Sequence, residues 1–213
     1  MTPVLLVACV MGPQESTLVD DLQVVAVLAE PPEAGPGQSI ALETVVVDTT
    51  DEGYDLWQWT CLGETCSPVE DTLFIPPTLP ASEEPIPVFH WTLACRPGLC
   101  EDIEPTQDAP ALLEDLPMEG VSLGLRWLGI STRERANPTI ECAADGLCQV
   151  DGDFSEYSAV YPYSDVPGWE TPSAELVPGD TEVELSWVGE ESGTAWVVIV
   201  DGQGGVGLWT GDI

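Results

Sequence analysis

The sequence predicts an all-β chain that folds as two β-sandwich domains in tandem, and three observations lead to this prediction. Short runs rich in apolar and β-branched residues recur at roughly 8–12-residue spacing. Turn-forming residues separate these runs, and the chain has 20 prolines and 20 glycines to supply them. Several runs alternate between apolar and polar residues, as strands with one buried face do. A length of 213 residues is sufficient for two hydrophobic cores.

The first domain is predicted over residues 20–135. Trp57, Trp59 and Cys61 alternate with Gln58 and Thr60, so both tryptophans are expected to face the core, with a ligand-binding platform as the alternative. Strands are expected at 22–29, 39–48, 54–61, 88–95 and 121–130, with a turn at 30–37 and a long proline- and acid-rich surface loop or sheet edge at 66–87.

The second domain is predicted over residues 136–213. A Pro178–Gly179 turn leads into an alternating strand that ends at Trp187. The run 195–200 is apolar on both faces, and a turn at 201–205 returns the chain as a hairpin over 206–210. Three of the four arginines fall within 126–135, where they are expected to neutralise the acidic faces of two adjoining domains.

Two segments carry a family resemblance. Residues 29–47 and 193–209, the latter reading GTAWVVIVDGQGGVGLW, resemble bacterial immunoglobulin-like or PKD-like domains. The resemblance covers about half of the chain. It implies two immunoglobulin-like sandwiches in tandem on a surface lipoprotein, with an adhesive or spacer role, although a fold does not by itself determine a function.

The N-terminus resembles a bacterial lipobox. Leu6, Val7 and Ala8 precede Cys9, the cysteine that becomes lipidated and N-terminal after cleavage in such proteins. This resemblance implies a truncated signal peptide over 1–9, a lipidated tether over 10–19, and export to the outer membrane or cell surface, or alternatively to the periplasm. No Lys or Arg precedes it and the apolar stretch is short, which a start codon assigned too far downstream would explain. The alternative is an ordinary apolar N-terminus with a chance cysteine.

Seven cysteines fit an exported lipoprotein, because removing Cys9 leaves an even number. The other six form the close pairs Cys61/Cys66, Cys95/Cys100 and Cys142/Cys148. Export favours disulfides, and local pairing is favoured because each pair brackets a turn-like segment. Zinc bound by the first four of these cysteines as thiolates is the alternative.

The charge is extreme, with 38 acids against four arginines and a formal net charge of −34. Phosphate backbones and anionic headgroups would be repelled, so nucleic acid is excluded as a partner. An apolar content of 44% and eight tryptophans argue against disorder. The acids are expected to form a solvated surface in an ionic exterior.

Acid clusters also suggest calcium. Asp151, Asp153 and Glu156 follow a D-x-D-x-x-E spacing after a turn, and Asp48, Asp51 and Asp55 form a second cluster. Extracellular modules bind Ca²⁺ through such oxygens with a Kd of about 10⁻⁴–10⁻³ M. In so acidic a chain, chance clustering is the alternative.

Catalysis is not predicted. His90 is the single histidine, and no Gly-x-Ser-x-Gly nucleophile motif accompanies it. No catalytic residue and no cofactor are assigned. The loop aromatics Tyr157, Tyr161, Tyr163 and Trp169 either line a carbohydrate or peptide site or pack in the core, and core packing is favoured.

The sequence therefore favours a non-enzymatic, lipid-anchored cell-envelope protein that serves as a spacer or protein-binding module, with an unknown protein or glycan ligand. The alternative is a calcium-dependent adhesion or carbohydrate-binding protein. A hydrolase or zinc protein is a more distant alternative.

Overall fold

A computed structural model describes residues 18–19, 21–101, 103–112, 119–143, 146–155, 157–170 and 172–213. Within these residues it contains fifteen strands and one four-residue helix, which confirms the prediction of an all-β fold. The strands before residue 131 form two sheets, and those after residue 138 form two others. No helix in the described ranges has the length and apolarity needed to cross a bilayer.

Two sheets form the first sandwich. A three-stranded antiparallel sheet has the order β1 (Leu22–Glu30), β3 (Ser39–Asp48), β6 (Thr72–Phe74). A five-stranded sheet has the order β2 (Glu33–Ala34), β8 (Val121–Ile130), β7 (Ile86–Cys95), β4 (Asp55–Leu62), β5 (Thr65–Pro68). Strand β6 and most of β5 fall in the segment predicted as a long surface loop or sheet edge over 66–87, and both are edge strands of their sheets.

The five-stranded sheet is buried on both faces. One face packs Val88, Leu128 and Ile130 against Ile40 and Leu42 of the three-stranded sheet. The opposite face carries the larger aromatic residues, and a segment that includes the helix α1 (Ala109–Leu112) covers part of it. Buried residues of that face and its cover are Trp59, Cys61, Trp91, Leu93, Cys95, Cys100 and Ala109.

The two tryptophans of β4 differ in burial, contrary to the prediction that both face the core. Trp59 is 1% exposed, and its indole N–H donates to the Thr106 carbonyl over 2.8 Å. Trp57 is 39% exposed. Strand β5 begins pairing only at Trp59, so the Trp57 end of β4 has β7 as its one sheet neighbour among the described strands. Of these two tryptophans, the covering segment buries only Trp59.

The second sandwich also has two sheets. A four-stranded sheet has the order β12 (Ala174–Leu176), β11 (Ser158–Ser164), β14 (Thr194–Val200), β15 (Val206–Asp212). A three-stranded sheet has the order β13 (Glu182–Glu184), β10 (Leu147–Asp151), β9 (Thr139–Cys142). The predicted hairpin is confirmed, because β14 and β15 pair from Val200 opposite Val206 outward. The strand predicted to reach Trp187 is shorter, since β13 ends at Glu184.

A third apolar cluster, here called the shared core, joins the two sandwiches. Val25, Ala26 and Val47 of the three-stranded sheet pack against Val198 and Val206 of the four-stranded sheet. Val19 belongs to the same cluster, is 1% exposed, and donates its N–H to Ser164 over 2.7 Å. The last residues of the predicted tether therefore lie within the fold. Burying an apolar side chain such as Val19 away from water lowers the free energy of the folded state.

Candidate functional site

Buried carboxylates and arginines meet where the two sandwiches join. Glu33 lies on β2 with its side chain fully buried. Arg133 and Arg135 contact the same Glu33 oxygen over 2.5 and 3.1 Å, and the Ser131 hydroxyl donates to the other oxygen. Burial acts to raise the pKa of Glu33, but the hydrogen bonds from Arg133, Ser131 and Arg135 outweigh it, and the pKa lies below its ordinary value. The carboxylate is therefore ionised at neutral pH.

Arg135 links this carboxylate to the second sandwich. Its guanidinium also contacts Asp201 over 2.5 Å and donates to the Gln203 carbonyl over 2.8 Å. Asp201 is 1% exposed and holds the β14–β15 turn by accepting the N–H groups of Gln203 and Gly205. The residues Glu33, Arg133, Arg135 and Asp201 are here called the arginine cluster. Its ion pairs agree with the expectation that junction arginines neutralise acids of both units.

Arg126 is buried at the same junction without a carboxylate partner within salt-bridge distance among the described residues. It is 2% exposed and donates to the carbonyls of Val27 and Gly204, the latter over 2.6 Å. Burial lowers its pKa to about 9, although the charges of Asp201 and Glu30 act in the opposite direction. The positive charge is thus held by backbone dipoles from both sandwiches.

His90 lies opposite Arg126 in the register of β7 and β8. It is fully buried, and its Nε2 lies 3.2 Å from the Thr92 hydroxyl. Burial, and secondarily the charge of Arg126, lowers the pKa of His90 to about 4. The imidazole is therefore neutral at pH 7 and lies within the first sandwich.

Arg96 is held by carboxylates at the opposite end of β1. It contacts Asp21 over 2.5 Å and Asp48 over 2.8 Å. Asp48 also accepts the N–H groups of Thr50 and Gly53. The carboxylate that heads the second predicted calcium cluster is therefore engaged within its own turn and with an arginine.

All four arginines consequently have ion pairs or hydrogen bonds within the fold. Arg126 is buried, the side chains of Arg96 and Arg135 are each 10% exposed, and that of Arg133 is 38% exposed. Because the chain has no lysine, the described surface has almost no positive charge to offset its acids. Its electrostatic field is therefore strongly negative.

A cleft of about 530 Å³ opens between the sandwiches beside the shared core. One wall is the outward face of β1 and β3, on which Leu28 pairs with Glu43 and Glu30 with Ala41. The other wall is the start of β15 at Val206–Leu208, and Asn137 and Pro138 of the linker lie between the walls. The cleft has an apolar floor with Leu28 on one side and Leu208 on the other.

The rim of this cleft is acidic. Glu30, Glu43 and Asp71 line it, and all three residues are exposed. Each of the four arginines has its ion pairs or hydrogen bonds elsewhere, so none forms a salt bridge with these carboxylates. Asn137 donates to Glu30 over 3.0 Å and accepts the Val206 N–H, which fixes the linker between the walls.

Each of the three predicted local cysteine pairs is joined by a disulfide. Disulfides join Cys61 to Cys66, Cys95 to Cys100 and Cys142 to Cys148, with Cα atoms 4.1, 6.0 and 4.0 Å apart. The first and last close the β4–β5 and β9–β10 hairpins between directly opposed residues. The four cysteines considered as zinc ligands are thus bonded in pairs. Cys9, the predicted lipidation site, lies outside the described residues.

The proposed calcium ligands are brought together only in part. Asp151 ends β10 and Asp153 follows it, both exposed, whereas Glu156 lies outside the described residues. In the ranges that the structure describes, no three His, Cys, Asp or Glu side chains are grouped to hold a metal ion.

The loop aromatics do not form one binding surface. Tyr163 is 6% exposed in the shared core, and Tyr161 packs against the same cluster. Trp169 packs edge-to-face on Trp187 with ring centroids 5.0 Å apart, whereas Tyr157 is 44% exposed. Three of the four therefore serve packing, as the favoured interpretation expects.

Calcium and ionic strength should affect stability differently. We expect the melting temperature to rise with sodium chloride, because salt screens repulsion among the acids of the compact state. Calcium at matched ionic strength should add nothing further. Thermal melts of the wild type and of Asp151→Asn/Asp153→Asn test this. A gain approaching about 2.7 kcal/mol at a hundredfold excess over Kd, lost in the double variant, would instead establish a calcium site.

Sequence reasoning did not identify the cleft residues. Glu30, Glu43 and Asp71 are distant in the chain, and strand register brings them together. Glu43 did carry a signal, because it is the sole charged residue between Ser39 and Val47 of an otherwise strand-like run. A charge on one face of a strand is more often solvated than functional.

Compared with known proteins, the sequence matches no family model, and it matches no curated protein at a significant level.

Proposed function

We propose that the chain is a non-enzymatic, lipid-anchored protein of the cell envelope, and that its two immunoglobulin-like sandwiches serve as a protein-binding module held close to the membrane. One observation carries the proposal. The six other cysteines are bonded to one another, so Cys9 alone remains for another role. That residue follows the Leu6–Val7–Ala8 pattern typical of lipidation.

Three features support export and binding. Disulfides persist in oxidising compartments outside the cytosol. An acidic surface with almost no exposed cation stays solvated in an ionic exterior. The cleft of about 530 Å³ lies in the roughly 300–1,000 Å³ range of ligand sites.

The anchor would also limit the distance between the sandwiches and the membrane. Leu18, which forms a bridge to Ser164, follows Cys9 by nine positions in the chain. A fully extended segment of that length spans at most about 30 Å. A lipid on Cys9 would therefore hold the junction between the two sandwiches near the bilayer surface.

Acylation of Cys9 is the test of this proposal. The chain, preceded by its upstream reading frame, is expressed in a bacterium supplied with a labelled fatty acid, beside a Cys9→Ser variant. We expect label on the wild-type protein in the membrane fraction and unlabelled protein for the variant. Label that persists in Cys9→Ser, or wild-type protein that is unlabelled and soluble, would contradict the proposal.

A further inference from the structure

We propose that an extended, basic segment of a partner protein adds as a strand to the free edge of β3, beginning where Glu43 and Asp71 line the cleft between the sandwiches. The inference rests on the proposed role as a protein-binding module and specifies the chemistry of the partner. Three properties of the described residues lead to it: an open strand edge, an acidic rim without cations, and an apolar floor.

The open edge follows from the short length of β6. That strand pairs only with Ser39–Ala41, and the last contact on this side is the Leu42 N–H, which donates to the Asp71 carbonyl over 2.7 Å. Past Leu42, no described strand pairs with this edge of β3. Backbone groups alternate between the two edges of a strand, so the amides of Thr44 and Val46 face the open side.

This edge has the composition of a strand that accepts a partner. Residues 44–47 read Thr-Val-Val-Val, which favours extended backbone. Thr44 and Val46 are half-buried rather than covered. Strand β3 carries no lysine or proline, Glu43 is its one charge before Asp48, and the register shift in its pairing with β1 lies between Val24 and Ala26 on the β1 side. An extended peptide can therefore continue the sheet through main-chain hydrogen bonds.

Charge selects the kind of peptide. Glu43 lies on β3, and Asp71 immediately precedes β6, beside the point where an added strand would begin. Both carboxylates therefore border the path of the peptide. No arginine pairs with either of them. A lysine or arginine side chain would meet these carboxylates, and its methylene stem would lie on the outward face of the sheet that lines the cleft.

The same charge argues against other occupants. A second copy of this chain would bring a further formal charge of −34 to an already acidic rim. Anionic lipid or nucleic acid would meet the same repulsion. A basic segment from another protein is the class that the electrostatics favour.

The test is a binding titration with the full chain and a defined probe. The probe is a capped peptide of alternating lysine and valine, long enough to follow the open edge, titrated by calorimetry at about 0.15 M salt. We expect Glu43→Gln/Asp71→Asn to weaken binding by about tenfold or more. The control Glu175→Gln/Glu184→Gln removes the same charge from exposed sites on β12 and β13 and should change the affinity by less than about twofold.

A second probe separates strand addition from charge attraction. The same peptide, N-methylated on alternate amides, keeps its charge but loses the donors that would face β3. We expect it to bind at least about tenfold more weakly. The inference is overturned if the plain peptide does not bind, if both double variants weaken it equally, or if the N-methylated peptide or spermine binds as well. None of these outcomes bears on acylation of Cys9, so the proposed anchor is judged separately.

Discussion

Replacing Glu33 with glutamine should lower the free energy of unfolding by about 3–5 kcal/mol, the usual cost of removing one partner from a buried ion pair. The Glu33 side chain is fully buried between Arg133 and Arg135. Glutamine keeps the shape of the side chain but leaves both guanidinium groups without this counter-charge. Arg135 would retain Asp201, whereas Arg133 would retain no carboxylate partner among the described residues.

Urea unfolding at pH 7 measures this loss. The matched control is Glu175→Gln, which removes one exposed carboxylate from β12 and should change the free energy of unfolding by less than about 0.5 kcal/mol. Relief of general repulsion among the acids would act equally in both variants. Equal midpoints for the two variants would show that the arginine cluster does not stabilise the junction.

The second large effect is a pH dependence that belongs to His90. The pKa of this residue is about 4 in the fold, against an ordinary value of 6.5. Unfolded chains therefore bind the proton first as the pH falls, so stability is lost below pH 6.5 and the loss is complete near pH 4. The difference of about 2.5 units corresponds to about 3 kcal/mol.

The His90→Gln variant isolates this contribution, because glutamine does not titrate and all carboxylates are shared with the wild type. Free energies of unfolding are measured for both proteins between about pH 7 and pH 4. We expect the wild type to lose about 3 kcal/mol more than the variant over that range. Parallel curves would mean that the pKa of His90 is the same in the folded and the unfolded chain, whatever the absolute stability of the variant.

Local pattern was sufficient to predict much of this fold. The apolar run at 195–200 and the turn at 201–205 predicted the last hairpin, which the strand register confirms. The cysteine spacing favoured local loops, and all three pairs lie at bonding distance. These features depend on neighbours in the chain, which is the information that periodicity and spacing contain.

The junction between the sandwiches depends on distant contacts, of which the sequence shows the arginines at 126–135 and an apolar run but not their partners. The run 22–29 is apolar on both faces because β1 packs the five-stranded sheet on one side and the second sandwich on the other. Alternation alone does not reveal the second partner of such a strand. Similarly, Glu33 is one acid among 38, and its burial follows from the long-range contacts of Arg133 and Arg135.

The central claim is that both sandwiches form one cooperative unit, which holds the cleft between fixed walls. Differential scanning calorimetry of the full chain at neutral pH, with disulfides intact, tests it most directly. The shared core and the arginine cluster predict a single transition whose calorimetric enthalpy equals its van't Hoff enthalpy. Two separable transitions, or a calorimetric enthalpy well above the van't Hoff value, would show that the sandwiches unfold independently and would contradict the claim.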